Sequence, residues 1–391
     1  MTRVVIIGAS VAGVGVANEL RRCGHAGEII LADGQGHLPY DRPPLSKAVL
    51  LGEAADAGLP FHDAAHYARL GIELVLGRPA VGMDAAARAV LLADGTRLKG
   101  DAVVIACGAR ARKFPAGLVE GPVWTIRDLT DAQGFRRHLR PGARLAVVGG
   151  GFVGAEVASS ARKLGLEVTI FEAAPAPFLR ILGPAVAAEL AALHQEAGVA
   201  MRCGVTVERI SQSGAAQHLH LSDGSVVGAD LVVAGLGCLP NVEWLEGSGV
   251  PTRNGVVCDA LGRTGHPGIF AAGDAAAWFS PLSGRHERHE HWTAAREQAR
   301  IVASVIAGTE AAAWAAFVPY FWSDLHGRRV QVLGDTAAIE DISLVYRDEA
   351  RGAFLAEYRH QGRLVGVVGC NAGARTMRYL AQLAPAAAAA A

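Results

Sequence analysis

Lysine is nearly missing from this chain. Of 391 residues only four are lysine, at positions 47, 99, 113 and 163, and arginine carries the rest of the positive charge. Cysteine is sparse, with Cys23, Cys107, Cys203, Cys238, Cys258 and Cys370 in no CxxC or CxxxxC spacing. That excludes a sequence-local redox disulfide and a thiolate metal knuckle, and it suits a reducing cytoplasm. Net charge is also missing, because 37 basic residues balance 37 acidic ones. No global attraction to nucleic acid or to an anionic membrane follows. No apolar run reaches the roughly 18 residues of a spanning helix. The N-terminus enters a strand without a basic leader, so a cytoplasmic protein is expected.

What is abundant is glycine, 48 residues of it, within a sequence that is 51% hydrophobic. The mean hydropathy of +0.25 fits large, well-covered sheets. The length predicts two or three domains.

The first thirteen residues, MTRVVIIGASVAG, organise the rest. A β-branched run, Val4 to Ile7, predicts a buried parallel strand. It breaks at Gly8 and passes into an apolar-periodic helix from Val11. The turn Gly8-Ala9-Ser10-Val11-Ala12-Gly13 is a GxGxxG loop with serine for its second glycine. Such a loop brings backbone N–H groups and a helix N-terminus to a pyrophosphate, although glycine-rich turns also arise for packing alone. A second strand, Glu28 to Ala32, ends at Asp33-Gly34. Asp33 has the spacing of a ribose ligand and equally the composition of a turn.

The device then repeats. Leu145 to Val148 predicts a strand, Gly149-Gly150-Gly151-Phe152-Val153-Gly154 an unmodified loop, and Glu156 to Leu164 the body of a helix. Glu167 to Phe171 predicts a strand ending at Glu172. Order and spacing together point to a dinucleotide site. Glu172 would accept both hydroxyls of an adenosine ribose and repel a 2′-phosphate, and Ala173-Ala174 supplies no arginine for one. NADH is therefore favoured over NADPH. Glu156 is expected on the first turn of its helix, where it reads either as a surface carboxylate favoured by the dipole or as a functional group beside the loop.

Between and after these units the signals are local. Pro39 to Leu50, PYDRPPLSKAVL, predicts a stiff loop with Ser46 capping a short helix from Lys47. Lys47 reads as solvated surface unless its rarity has a purpose. Strands are expected near Ile72–Leu76, Ala89–Leu92 and Ala102–Ala106, with a hairpin turn at Asp94-Gly95. A hairpin region spans Val205–Val227, and a buried strand at Asp230–Ala234 runs into Gly235-Leu236-Gly237. A short strand then runs into Gly273-Asp274, where Asp274 reads as a helix cap or a cofactor contact. A helix is expected from Glu290 through Ala307. From Ala313, strands with a hairpin at Gln361-Gly362 precede a final helix and a low-complexity PAAAAAA tail expected to fray. His286, His289 and His291 have no clean tetrahedral spacing, so no metal is expected.

Two nucleotide loops, an all-β insert and a late GD motif resemble the two-dinucleotide flavoprotein reductases of the pyridine nucleotide-disulfide oxidoreductase superfamily. The carriers are ACGARAR at Ala106–Arg112, GLGCLPN at Gly235–Asn241 and GIFAAGDAA at Gly268–Ala276. Within it, PYDRPPLSK, EHWTAAREQA at Glu290–Ala299 and FWSD at Phe321–Asp324 resemble the oxygenase-coupled NADH–ferredoxin reductases, the putidaredoxin-reductase and biphenyl-dioxygenase-reductase group. The resemblance implies an α/β, glutathione-reductase-like fold with two Rossmann-like domains and a C-terminal α+β domain. FAD would occupy residues 1–112 and 239–312, NAD the inserted 113–238, and the α+β domain 313–391.

The same resemblance implies the site. Gly8, Ser10, Val11, Ala12 and Gly13 would hold the FAD pyrophosphate, and Asp33 or Gly34 the adenosine end, while Arg42, Ala106 and Gly108 would also bind FAD. Lys47 would lie by the flavin ring, paired with Glu156 as the catalytic couple. Val81, Arg127, Gly273, Asp274, Glu290, His291, Trp292 and Trp322 match further FAD-contacting positions. Gly149, Gly151, Phe152, Val153, Gly154, Glu156, Glu172, Gly235 and Gly237 would hold NADH. The family's acid one or two residues beyond Asp33 is Gly34 or Gln35 here, and the C-terminal tail is short. The implied activity is hydride transfer from NADH to FAD, then single electrons to a small acidic iron–sulfur ferredoxin serving a cytochrome P-450 or Rieske oxygenase. Candidate docking residues are Arg296, Arg300, Arg328 and Arg329, on a monomer or homodimer. Rival readings are an NADH oxidase and an NADH-responsive flavoprotein acting through a partner. A disulfide reductase would need a cysteine pair that Pro43–Lys47 does not contain.

Overall fold

The computed structural model describes residues 3–53, 59–281, 283–310, 314–337 and 341–383. Strand Val4–Ile7 is buried at every position, because both faces of its parallel sheet are covered. It pairs in parallel with Ile29–Ala32 on one side and Ala102–Ile105 on the other. Ile72–Val75 and Ile269–Ala271 complete the five strands, so the sheet takes its last strand from far down the chain.

The second sheet repeats the pattern. Arg144–Val148 lies between Glu167–Glu172 and Leu231–Ala234, with Ala200–Cys203 and Val123–Trp124 at the edges, all parallel. Three-stranded antiparallel sheets, 80–84 with 89–92 and 97–99, and 207–213 with 216–221 and 226–229, accompany the two units. Strand Ala80–Asp84 was not expected, since its sequence AVGMD carries a glycine and only weak alternation. The C-terminal unit is an antiparallel sheet of five strands, with Tyr320–Leu325 at one edge and Asp341–Asp348 at the other. Its Gln361-Gly362 hairpin turn has positive φ at both residues. Two short helical turns, Gly373–Met377 and Leu380–Leu383, stand where one final helix was expected. Ala313 and the terminal PAAAAAA lie outside the described residues.

Two helices of the first unit, Val11–Arg22 and Trp292–Ala307, pack face to face. Gly15 permits this, because a Cβ there would sit 2.9 Å from Cβ of Ala299. The expected helix from Glu290 starts instead at Trp292, with His291 at its N-cap. The helix after the second loop begins at Phe152, four residues before Glu156. Glu156 therefore lies in the second turn and is buried, not on the first turn at the surface.

Candidate functional site

The first loop is held by close backbone approach. Gly8 has φ of +112°, and a Cβ on it would meet the Ala106 carbonyl oxygen at 2.1 Å. A Cβ on Gly13 would meet the Gly8 carbonyl oxygen at 1.8 Å. No larger residue fits either place. Ser10 sits at the N-cap of helix Val11–Arg22, yet its side chain makes no capping bond, which leaves the first N–H groups free for a ligand. Asp33 combines its two expected readings. One oxygen accepts the Gln35 N–H at 2.8 Å as a turn, and the other accepts the Ala9 N–H at 2.6 Å and fastens the loop. Gly34 faces Pro79 instead of the loop.

From this loop a groove runs between the units. Ser10, Val11, Ala12, Asp33, Arg42, Ala106, Gly108, Arg127, Val153, Glu156, Gly273, Asp274, Glu290 and Trp292 all line it. Lys47, Val81, His291 and Trp322 do not. Val81 is half-exposed on strand Ala80–Asp84. The His291 ring lies 4.5 Å from that of Phe321, and burial pushes its pKa down to about 4. Trp322 meets Trp292 edge-on at 6.0 Å.

Two arginines of the groove lie side by side. Arg42 donates to the Arg127 carbonyl at 2.7 Å and to Ser10 Oγ at 3.3 Å. Burial, with the neighbouring Arg127 adding to it, lowers the Arg42 pKa. Burial acts on Arg127 in the same direction, but its ion pair with Asp274 at 2.7 Å outweighs it and the net shift is upward. Asp274 is thus an ion-pair partner in a short 3-10 turn, Gly273–Ala275, and caps no helix. Two guanidiniums beside an open helix N-terminus fit a pyrophosphate.

The groove's far end is closed by the second unit. The proline loop winds into a five-residue π-helical turn, Leu45–Val49, whose Ser46 makes no cap. Its hydroxyl instead donates to Glu156 Oε2 at 2.5 Å, 110 residues away. Lys47 Nζ lies 2.9 Å from Glu156 Oε1. Pro43, Leu45, Ser46, Cys107, Ile126 and Ala295 also line the groove. The first three lie in PYDRPPLSK, Cys107 in ACGARAR and Ala295 in EHWTAAREQA, while Ile126 lies in none of these motifs. Cys107 is inert, since burial pushes its thiol up to about 12 and the thiol donates to the Asn241 carbonyl.

The second loop matches the first in build. A Cβ on Gly149 would meet the Gly235 carbonyl oxygen at 2.4 Å, and one on Gly154 the Gly149 carbonyl oxygen at 2.2 Å. A Cβ on Gly151 or Gly237 would meet nothing within 4 Å. Gly151 is the helix N-cap and offers no side chain, so these N–H groups also face outward unbonded by a cap. Glu172 stands where Asp33 stands in the first unit, accepting the Gly150 N–H at 2.7 Å. Phe152 packs between Phe178 and Phe321, and Val153 reaches the groove. An unexpected cation is present, because Arg180 comes within 3.9 Å of Glu172. Among the described residues, no group of three His, Cys, Asp or Glu is placed to hold a metal ion. Nor is any helix among them long and apolar enough to cross a membrane.

Comparison with known proteins agrees with this architecture. Residues 2–299 match the model of the pyridine nucleotide-disulphide oxidoreductase family, and residues 320–391 match a reductase C-terminal model. The chain is 37% identical over 371 residues to the ferredoxin–NAD(+) reductase component of the anthranilate 1,2-dioxygenase system of Burkholderia cepacia, covering 94% of this chain and 91% of that one. It is 40% identical over 338 residues to the corresponding p-cumate 2,3-dioxygenase component of Pseudomonas putida, covering 86% and 82%. A crystal structure of the covalent putidaredoxin reductase–putidaredoxin complex superposes with a TM-score of 0.92 at 33% identity, covering 98% of this chain and 93% of that one. On its two dinucleotide-binding units, its C-terminal sheet and these matches, the chain belongs to the pyridine nucleotide-disulphide oxidoreductase family.

Proposed function

We propose that this enzyme is an FAD-dependent NADH:ferredoxin reductase, passing electrons from NADH to a small acidic iron–sulfur protein that feeds an oxygenase. One observation carries the reading. A groove that starts on the first nucleotide loop ends against Val153 and Glu156, on the helix that starts from the second. Two nucleotide sites that share a wall can bring their ligands together.

When bound, the flavin supplies the conversion of a two-electron donor into two single-electron deliveries. The chain's own residues do the rest. The open N-terminus of helix Val11–Arg22 and the Arg42 guanidinium would hold the FAD pyrophosphate. Arg127 and Asp274 would face the middle of the cofactor. The N–H groups after Gly151 would take the NADH pyrophosphate, and Glu172 its adenosine ribose. Lys47, held by Glu156 at the end of the groove, places an ammonium where negative charge would build on reduction.

Partner binding falls to the surface beyond Trp292. Arg296 lies over the Trp292 ring at 5.0 Å, and Tyr320 stacks on Trp322 at 5.9 Å. Of the other candidate arginines, Arg300 pairs with Glu297, Arg328 with Glu196 and Arg329 with Asp324. The test is NADH-driven reduction of cytochrome c with and without a panel of small ferredoxins. Strict dependence on a ferredoxin is the expected result. Equal rates without any of them would replace this reading with an oxidase.

A further inference from the structure

The edge strand of the C-terminal sheet, Tyr320–Leu325, packs against helix Phe152–Lys163 of one nucleotide unit and helix Trp292–Ala307 of the other. Neighbouring residues on a strand point to opposite faces. Ser323 and Asp324 nevertheless both reach the Lys47–Glu156 pair. Ser323 is buried and donates to Glu156 Oε1 at 2.7 Å, the same oxygen that Lys47 Nζ approaches. Asp324 Oδ2 lies 3.7 Å from the same Nζ. Arg329 holds the Asp324 carboxylate in turn, with Nε 2.8 Å from Oδ1.

Lys47 therefore meets two carboxylates, Glu156 at the groove and Asp324 outside it. With Arg329 the four charges sum to zero. The Glu156 oxygens are already shared with the hydroxyls of Ser46 and Ser323, so Glu156 alone does not fix the ammonium. The ammonium also donates to the Pro43 carbonyl at 3.5 Å, and its second carboxylate comes from the C-terminal unit.

We propose that Asp324 is a positioning residue that acts through Lys47, drawing part of the ammonium's field away from the groove and so lowering the electron affinity of the bound cofactor. The flavin arm of the test rests on the reading proposed above. In FAD-loaded Asp324→Asn, the oxidised–reduced equilibrium against a reference dye should shift about tenfold toward reduced flavin, about 30 mV for a two-electron couple. Arg329→Gln, which leaves the Asp324 charge without its guanidinium partner, should shift it the opposite way. Asp324→Glu keeps the charge and should restore the wild-type value. A packing defect would not give opposite signs from adjacent side chains.

A flavin-free readout stands beside it. With only four lysines, acetic anhydride labelling read by mass spectrometry resolves each one. Labelling of Lys47 relative to Lys99, Lys113 and Lys163 should rise severalfold in Asp324→Asn. An unchanged equilibrium in Asp324→Asn, while Lys47→Met shifts it, would overturn the proposal, as would unchanged Lys47 labelling. If the wild-type protein takes up no flavin, the functional reading fails and labelling alone decides this one.

Discussion

Glu172 accepts the backbone N–H of Gly150 at 2.7 Å, as Asp33 accepts that of Ala9 at 2.6 Å. In each unit an acid at the end of the second strand ties down the second residue of the nucleotide loop. The carboxylate thus shapes the loop and, on the proposed reading, would meet the ribose from the same place.

That double role sets the first prediction. On the proposed reading Glu172 would exclude a 2′-phosphate by charge, and Arg180 lies within 3.9 Å of it. Glu172→Ser should lower the NADH-over-NADPH preference at least about tenfold, chiefly through affinity. Binding of 2′,5′-ADP and 5′-ADP by calorimetry separates this from a general loss of the loop. Equal weakening of both would assign Glu172 to loop structure alone.

Lys47 and Glu156 give the second. Lys47→Ala should retain FAD, since Lys47 does not line the groove. Flavin bleaching by NADH should nevertheless slow about a hundredfold, the usual cost of removing one electrostatic stabiliser. Stopped-flow absorbance at the flavin band measures this directly. A rate within twofold of wild type would remove Lys47 from the reaction.

How far the sequence announced these pieces depends on how local each is. Both nucleotide units were legible because strand, loop, helix and acid lie within about thirty residues, and backbone geometry demands glycine at Gly8, Gly13, Gly149 and Gly154. The Glu156 cluster was not legible in full. Its partners Ser46 and Ser323 lie 110 and 167 residues away, and nothing in either serine's neighbourhood distinguishes a buried donor from a cap or a surface hydroxyl. Ser46 looked like a cap for the same reason, because a serine after prolines usually begins a helix. Arg180 escaped because it lies six residues beyond the two alanines that follow Glu172. His291, adjacent to groove-lining Glu290 and Trp292, turns the other way because the N-cap residue's extended backbone aims its ring at Phe321.

Asp274 supplies a third prediction. It pairs with Arg127, and Arg42 donates to the Arg127 backbone nearby. Asp274→Asn keeps the shape and leaves two guanidiniums with no carboxylate between them. Apoprotein stability should fall by about 2 kcal/mol, below the full value for a buried pair because both side chains keep some solvent contact. Adding FAD should recover part of that loss, since its pyrophosphate would supply the missing negative charge. Thermal unfolding with and without FAD tests both statements.

The last prediction concerns acid. The C-terminal turn at His326 docks on the second unit, its N–H donating to Ser159 Oγ at 2.8 Å and its ring Nε2 lying 2.9 Å from Nδ1 of His194. Burial, with His326 adding to it, pushes His194 down to about 3. In the unfolded chain the same group titrates near 6.5. Between those values the unfolded state binds more protons, so the contribution of His194 to stability shrinks as pH falls through the window. From pH 7 to pH 5 the loss is about 2 kcal/mol for this one group. His194→Gln removes the titration but keeps a polar side chain. It should be less stable than wild type at pH 7 yet lose visibly less on going to pH 5. Urea midpoints at the two pH values, read by tryptophan fluorescence, give the comparison. Parallel losses in wild type and variant would show that His194 takes no part in the acid sensitivity.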